Sequence, residues 1–363
     1  MAIDKTKKRK AEHIQICLEK KAQAKTVTTG FEDIKFVHRA LPEINRDDIN
    51  LSTSFLKKTF SAPLIVGAMT GGTDEAIEIN QNIAAAVEKL GLGMGLGSQR
   101  AAIENCALEK TFTVARKAAP TAFLIANIGG IQLVHGYGVK EVKKIVEMID
   151  ADAVAIHLNA LQEAVQPEGQ TSFKGVLAKI GEIASKIDQP VIIKETGAGI
   201  SAEDVETLKN TGIAAIDVGG VGGTSFAAVE YYRGEKTLGK IFWDWGIPTA
   251  VSLVEVVQST KLPVIASGGI RTGIDIAKAL TLGANLASII QPVLETAVQS
   301  SEATEKLLSA LINELRNVLF LIGVQNITGL SNIPIVICNE TAEWLKMRGF
   351  NLEEYALRGV SNF

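Results

Sequence analysis

In the stretch AVAIHLNALQEA (153–164), four residues suited to a buried strand run directly into His157, Asn159, Gln162 and Glu163. An imidazole, two amides and a carboxylate so close together can bind, donate or coordinate. Glu163 alone is too little acid for an all-protein calcium cage, but one carboxylate with substrate phosphates and waters is a common way to hold Mg2+. Lys194 ends a second apolar run, PVIIKETG (190–197). A buried ammonium is costly without an anion, which here could be Glu195, Asp217 or a ligand. Two glycine-rich stretches, GGVGGTS (219–225) and SGGIR (267–271), offer the exposed backbone N–H groups that suit a phosphorylated cofactor. Near the N-terminus, KKRKAEH (7–13) puts Arg9 and His13 on one helical face with Lys10 beside them, a grip for an anion if that helix folds over a cavity.

The elements that must position these residues are visible as a rhythm. Short apolar runs ending in Gly, Asn, Ser, Thr or charge occur at 63–72, 91–99, 122–130, 153–159, 190–197, 214–223, 263–271 and 284–292. Helical spacing fills the gaps, as in EAIEINQNIAAAVEKL (75–90) and GIDIAKALTLG (273–283). This alternation predicts a parallel sheet covered by helices, and eight such units predict an α/β fold, the closed (β/α)8 TIM barrel. Its active site lies at the carboxyl ends of the strands, where Met69-Thr70, Ser98-Gln99-Arg100, Asn127, His157-Asn159, Lys194-Glu195, Thr224-Ser225 and Gly268-Gly269-Ile270-Arg271 would converge on one cavity. Residues 1–62 stand outside the rhythm as a helical and extended segment that caps the substrate site. The barrel occupies 63–323, with 224–248 as an excursion over its mouth, and 324–363 form a C-terminal extension.

Composition narrows the setting of this chemistry. A chain of 363 residues with a net charge of −3 lacks the basic balance of a nucleic-acid binder. No apolar run reaches the roughly 18 residues of a membrane span. The three cysteines, Cys17, Cys106 and Cys338, are scattered and lack metal-ligand spacing, which favours a reducing cytoplasm over a disulfide framework.

As a set, RKAEHI (9–14), GAMTGG (67–72), GSQRAA (97–102), ANIGGIQL (126–133), HLNALQE (157–163), IKETGAGIS (193–201), DVGGVGGTSFAAVE (217–230), FWDWGIPTA (242–250) and SGGIRTGIDIAKALTLGA (267–284) resemble type 2 isopentenyl diphosphate isomerase. The resemblance implies interconversion of isopentenyl and dimethylallyl diphosphate with reduced FMN and Mg2+, NAD(P)H as the expected reductant, and a homo-oligomer. It implies that Arg9, Lys10, Ser98, Gln99 and Arg100 bind substrate together with His157, Asn159 and Gln162, the last three also serving catalysis. Ala68, Met69, Thr70, Ser98, Asn127, Lys194 and Thr224 would line the flavin, Gly268, Gly269 and Arg271 its phosphate, and Glu163 would hold the metal. Thr196 and the pair Ile290-Gln291 depart from the family pattern, and no cofactor contact is assigned to Ile290 or Gln291. The alternative is an FMN-dependent oxidoreductase on the same barrel. A hydroxy-acid oxidase would want a base histidine late in the barrel, whereas the histidines here are His13, His38, His135 and His157. A nucleotide dehydrogenase would want a cysteine after the strand 6 glycines, and none stands there.

Overall fold

All eight expected strands form, as β1 (Leu64–Val66), β2 (Gly93–Gly95), β3 (Phe123–Gly129), β4 (Ala153–Leu158), β5 (Val191–Glu195), β6 (Ala215–Asp217), β7 (Val264–Ser267) and β8 (Leu286–Ile289). In the computed structural model, which describes residues 2–234 and 236–359, these strands pair in parallel in sequence order, and β8 closes onto β1. The fold is a (β/α)8 barrel. The strands are shorter than the apolar runs that encode them because the Gly, Thr and Ser residues at their ends turn into loops. The register sets the active end. Gly129 lies opposite His157, His157 opposite Lys194, and Lys194 opposite Asp217.

Below that polar ring the barrel is packed with apolar side chains around a small void. Ile65, Ile125, Ala155, Ile192, Ala215, Ile265 and Leu286 face inward, alternating with residues that face the helices. A hairpin of Thr53–Phe55 and Lys58–Phe60 plugs the amino-terminal end, with Phe60 edge-on to Phe123 at 5.5 Å between ring centroids. Solvent therefore enters from the carboxyl end.

That end is roofed by helix α1 (Ala2–Glu19). Lys10 Nζ donates to the carbonyls of Gly71 and Ser98, each at 2.7 Å, and His13 Nε2 lies 2.9 Å from Glu230 Oε1. The chain after α1 then runs beside the glycine-rich loop, where Ala24 N–H donates to Gly223 at 3.0 Å and Ser225 N–H to Ala22 at 2.8 Å. Gly222 and Gly269 adopt positive φ and pack on Thr29 so closely that a Cβ on either would collide with it. The excursion expected at 224–248 forms two helices, α2 (Phe226–Arg233) and α3 (Lys236–Ile241). Helices α4 (Gln291–Ala297) and α5 (Ser301–Leu321) follow β8. The two flanking segments meet behind the barrel, Ile34–Phe36 pairing antiparallel with Ile335–Ile337. Among the described residues no helix is long and apolar enough to cross a membrane.

Candidate active site

The carboxyl ends of the strands and α1 enclose a cavity of about 260 Å3. Arg9 and Lys10 reach it from α1, and Ala68, Met69 and Thr70 from the loop after β1. Ser98 and Arg100 follow β2, and Asn127 ends β3. His157, Asn159, Gln162 and Glu163 face it from β4 and the helix after it, and Lys194 from β5. Thr224, Gly268, Gly269 and Arg271 complete the wall from the loops after β6 and β7.

Gln99 is the exception to the sequence-based expectation. Its side chain is fully buried and points away from the cavity. Its Nε2 donates to the Ile145 carbonyl at 2.9 Å, and its Oε1 accepts from Asn127 N–H at 3.0 Å. It ties β3 to the neighbouring helix instead of binding substrate, because adjacent residues in the turn face opposite sides.

Comparison with known proteins follows from this geometry. Residues 137–335 match the family model of FMN-dependent dehydrogenase. Isopentenyl-diphosphate delta-isomerase of Methanosarcina barkeri is 50% identical over 99% of this chain and 100% of its own length. The protein of the same name from Pyrococcus furiosus is 49% identical over 96% of this chain and 90% of its own. The chain belongs to the isopentenyl-diphosphate delta-isomerase family. Its match to an FMN-dependent family model fits the type 2 branch. Among solved structures, an arginine-to-lysine mutant of flavocytochrome b2 has a TM-score of 0.67 at 18% identity, covering 97% of this chain and 86% of its own. A mandelate oxidase mutant with a monooxide FMN adduct has a TM-score of 0.62 at 16% identity, covering 93% of this chain and 100% of its own. At such low identity these show a shared fold.

Electrostatics differentiate the residues of this isomerase-family site. Burial, then the nearby Lys194 and Lys10 cations, hold the His157 imidazole down to about 4, so it is neutral near pH 7. Its Nδ1 lies 2.7 Å from Asn127 Oδ1, an atom that only accepts, so Nδ1 carries the proton and Nε2 is left with its lone pair. Burial, then Arg9, lowers Lys10 to about 7, with Arg100 adding to the effect and Glu104 opposing it. Lys10 therefore titrates near neutrality. Arg100 is held in place by Glu104, Nε to Oε1 at 2.7 Å.

Glu163 is buried and receives three hydrogen bonds: Asn159 Nδ2 at 3.0 Å, Gln166 Nε2 at 2.7 Å and Gln170 N–H at 2.7 Å. With both amides donating to the carboxylate, their oxygens, Asn159 Oδ1 and Gln166 Oε1, remain without partners. Two orphaned oxygens beside one carboxylate form a hard donor set suited to Mg2+. Among the described residues no cluster of three or more His, Cys, Asp or Glu offers a rival metal site.

Several lining residues escaped sequence reasoning. Gln132, Gln166, Phe226 and Ser288 join the wall, and Ile290 and Gln291, left unassigned from sequence, join it too. A signal for Gln132 existed in the run ANIGGIQL. Gly129 is so tightly covered by Gln132 that a Cβ there would strike its side-chain oxygen and crowd His157.

Proposed function

We propose that the chain interconverts isopentenyl and dimethylallyl diphosphate by a 1,3-allylic proton shift, with reduced FMN and Mg2+. The observation that carries this reading is the meeting of Arg9, Lys10 and Arg100 with Glu163 in one cavity that Lys194 and the glycine loops also line. Cations and a metal-ready carboxylate suit a diphosphate, and Met69, Ile14 and Phe226 supply apolar wall for a short hydrocarbon.

Residues that fit FMN are present. The backbone of Gly268 and Gly269 lines the cavity beside Arg271, the buried Ser288 Oγ has no partner, and Lys194 offers a cation. When bound, reduced FMN supplies an electron-rich ring able to carry a proton and to face a cationic carbon centre. The side chains do the rest. Lys10 spends two N–H groups on Gly71 and Ser98 and keeps one for an anion. Glu163, with the Asn159 and Gln166 oxygens, would hold Mg2+ against the diphosphate. Neutral His157, locked by Asn127, positions substrate through an acceptor nitrogen and is no strong acid. Gln162 carries no charge at any working pH, and its Oε1 accepts from Asn159 at 3.2 Å, which leaves its amide N–H groups to orient substrate or a bridging water. Holding the diphosphate remote from the reacting carbons turns binding energy into orientation.

The test is to load the purified protein with FMN and assay isomerisation before and after reduction by NAD(P)H. Activity should appear only with reduced flavin, with no stoichiometric consumption of reductant. Sustained turnover with oxidised flavin and no reductant overturns the reading. Lys194→Ala should weaken flavin binding or catalysis, whereas Lys20→Ala should do neither.

A further inference from the structure

Lys194 and Asp217 lie side by side on β5 and β6, with Nζ 3.1 Å from Oδ2 and both side chains more than nine-tenths buried. The acid is fixed from its other side by Ser267 on β7, whose hydroxyl donates to Asp217 Oδ1 and accepts from Gly219 N–H at 3.1 Å. Lys194 also donates to the Glu195 carbonyl at 3.0 Å. The two ends of the pair are not equivalent. Lys194 lines both the main cavity and a small void beneath it, while Asp217 lines only the void. The positive end therefore faces the cavity and the negative end lies under it.

We infer that Asp217 is a positioning residue which, acting through Lys194, sets the field at the floor of the cavity and with it the reduction potential of an FMN bound there. The inference rests on the FMN reading above. A lone ammonium inside the barrel would be a poorly solvated full charge. Paired with Asp217 it becomes a dipole, whose field falls off faster than that of a charge. Two electrons with one proton turn the neutral flavin into its anionic hydroquinone, so a full positive charge at the cavity floor would favour that reduced form more than the dipole does. Asp217 thus restrains the potential while holding the ammonium upward. Arg9, Lys10, Arg100 and Arg271 also line the cavity, but none of them pairs with Asp217, so their field is common to wild type and variant. His157 on β4 is neutral, and the Glu195 carboxylate is turned toward the backbone N–H groups of Thr196, Gly197 and Ala198. Among the described residues no second carboxylate forms an ion pair with Lys194.

The experiment compares flavin-loaded wild type with Asp217→Asn by spectroelectrochemical titration at about pH 6. The expected result is a midpoint potential moved to a more positive value in the variant. An unchanged or more negative potential overturns the inference. If Asp217→Asn fails to fold or to take up FMN, the double variant Lys194→Met/Asp217→Asn decides. An unfolding midpoint higher in the double variant than in Asp217→Asn, read without flavin, supports Asp217 as the counter-ion of Lys194, and one no higher overturns it. A wild-type protein that takes up no FMN sinks the cofactor reading and this inference with it, whereas equal potentials in two loaded proteins sink this inference alone.

Discussion

Lys10 is the cavity cation whose charge should change within the working pH range. Its ammonium, lowered to about 7 by burial and then by Arg9, is charged below that pH and neutral above it. The grip on a diphosphate proposed for it should therefore be present at pH 6 and weaken as pH rises through 7. The apparent KM of the wild type should climb between about pH 6 and pH 8.5. Lys10→Arg should flatten that climb, because guanidinium stays charged; parallel profiles in the two proteins would clear Lys10 of the titration. Arg9→Ala should raise KM roughly ten- to hundredfold, the loss of a charge-assisted contact of about 1.5–3 kcal/mol, with the flavin spectrum intact. The neighbours Gln162 and Glu163 divide their work differently. A titration of rate against Mg2+ should move to higher metal in Glu163→Gln, which loses the carboxylate charge. In Gln162→Ala it should keep its midpoint and drop its plateau. If both curves move together, the pair acts as one unit.

At the level of elements, the site depends on how α1 is fastened over the barrel. Arg233 at the end of α2 is the hub, with Nε 3.1 Å from Glu12 of α1, NH2 2.9 Å from Glu168 and NH1 on the fully buried Glu230. Glu230 also receives His13, so one guanidinium and one carboxylate tie α1, α2 and the loop after the Glu163 helix together. Glu168 in addition lies 3.7 Å from Arg9. Breaking such a partly buried network leaves Glu230 without its cation, a loss on the order of 3–5 kcal/mol where the charge stays buried. Arg233→Ala should loosen α1, seen as faster proteolysis of the N-terminal helix and a raised KM. Flavin affinity should change far less, since Arg233 does not line the cavity. Equal loss of flavin and substrate affinity would mean that the variant had disturbed the whole mouth.

Across the whole molecule, the N-terminal segment and the C-terminal extension are stitched to each other as well as to the barrel. Asp33 receives Asn339 Nδ2 at 2.9 Å and Thr341 N–H at 3.1 Å, beside the pairing of Ile34–Phe36 with Ile335–Ile337. Asp33→Ala strands those donors and should cost about 1–3 kcal/mol in unfolding measurements while leaving KM and the flavin spectrum unchanged. This seam had no signature in the sequence, because three-residue strands paired across some 300 positions carry no periodic signal. The barrel did have one. Eight apolar runs closed by glycine and polar residues are local patterns, and once they form a parallel barrel every strand end must face one cavity, so most of the site could be read from the chain. Direction of side chains could not. Gln99 sits between two cavity residues yet turns into the protein, and Glu195, one residue past Lys194, faces its own loop because successive strand side chains alternate. The same alternation decided that the buried ammonium pairs with Asp217 across the barrel wall, a choice that composition and spacing had left open and that only the register of β5 against β6 resolved.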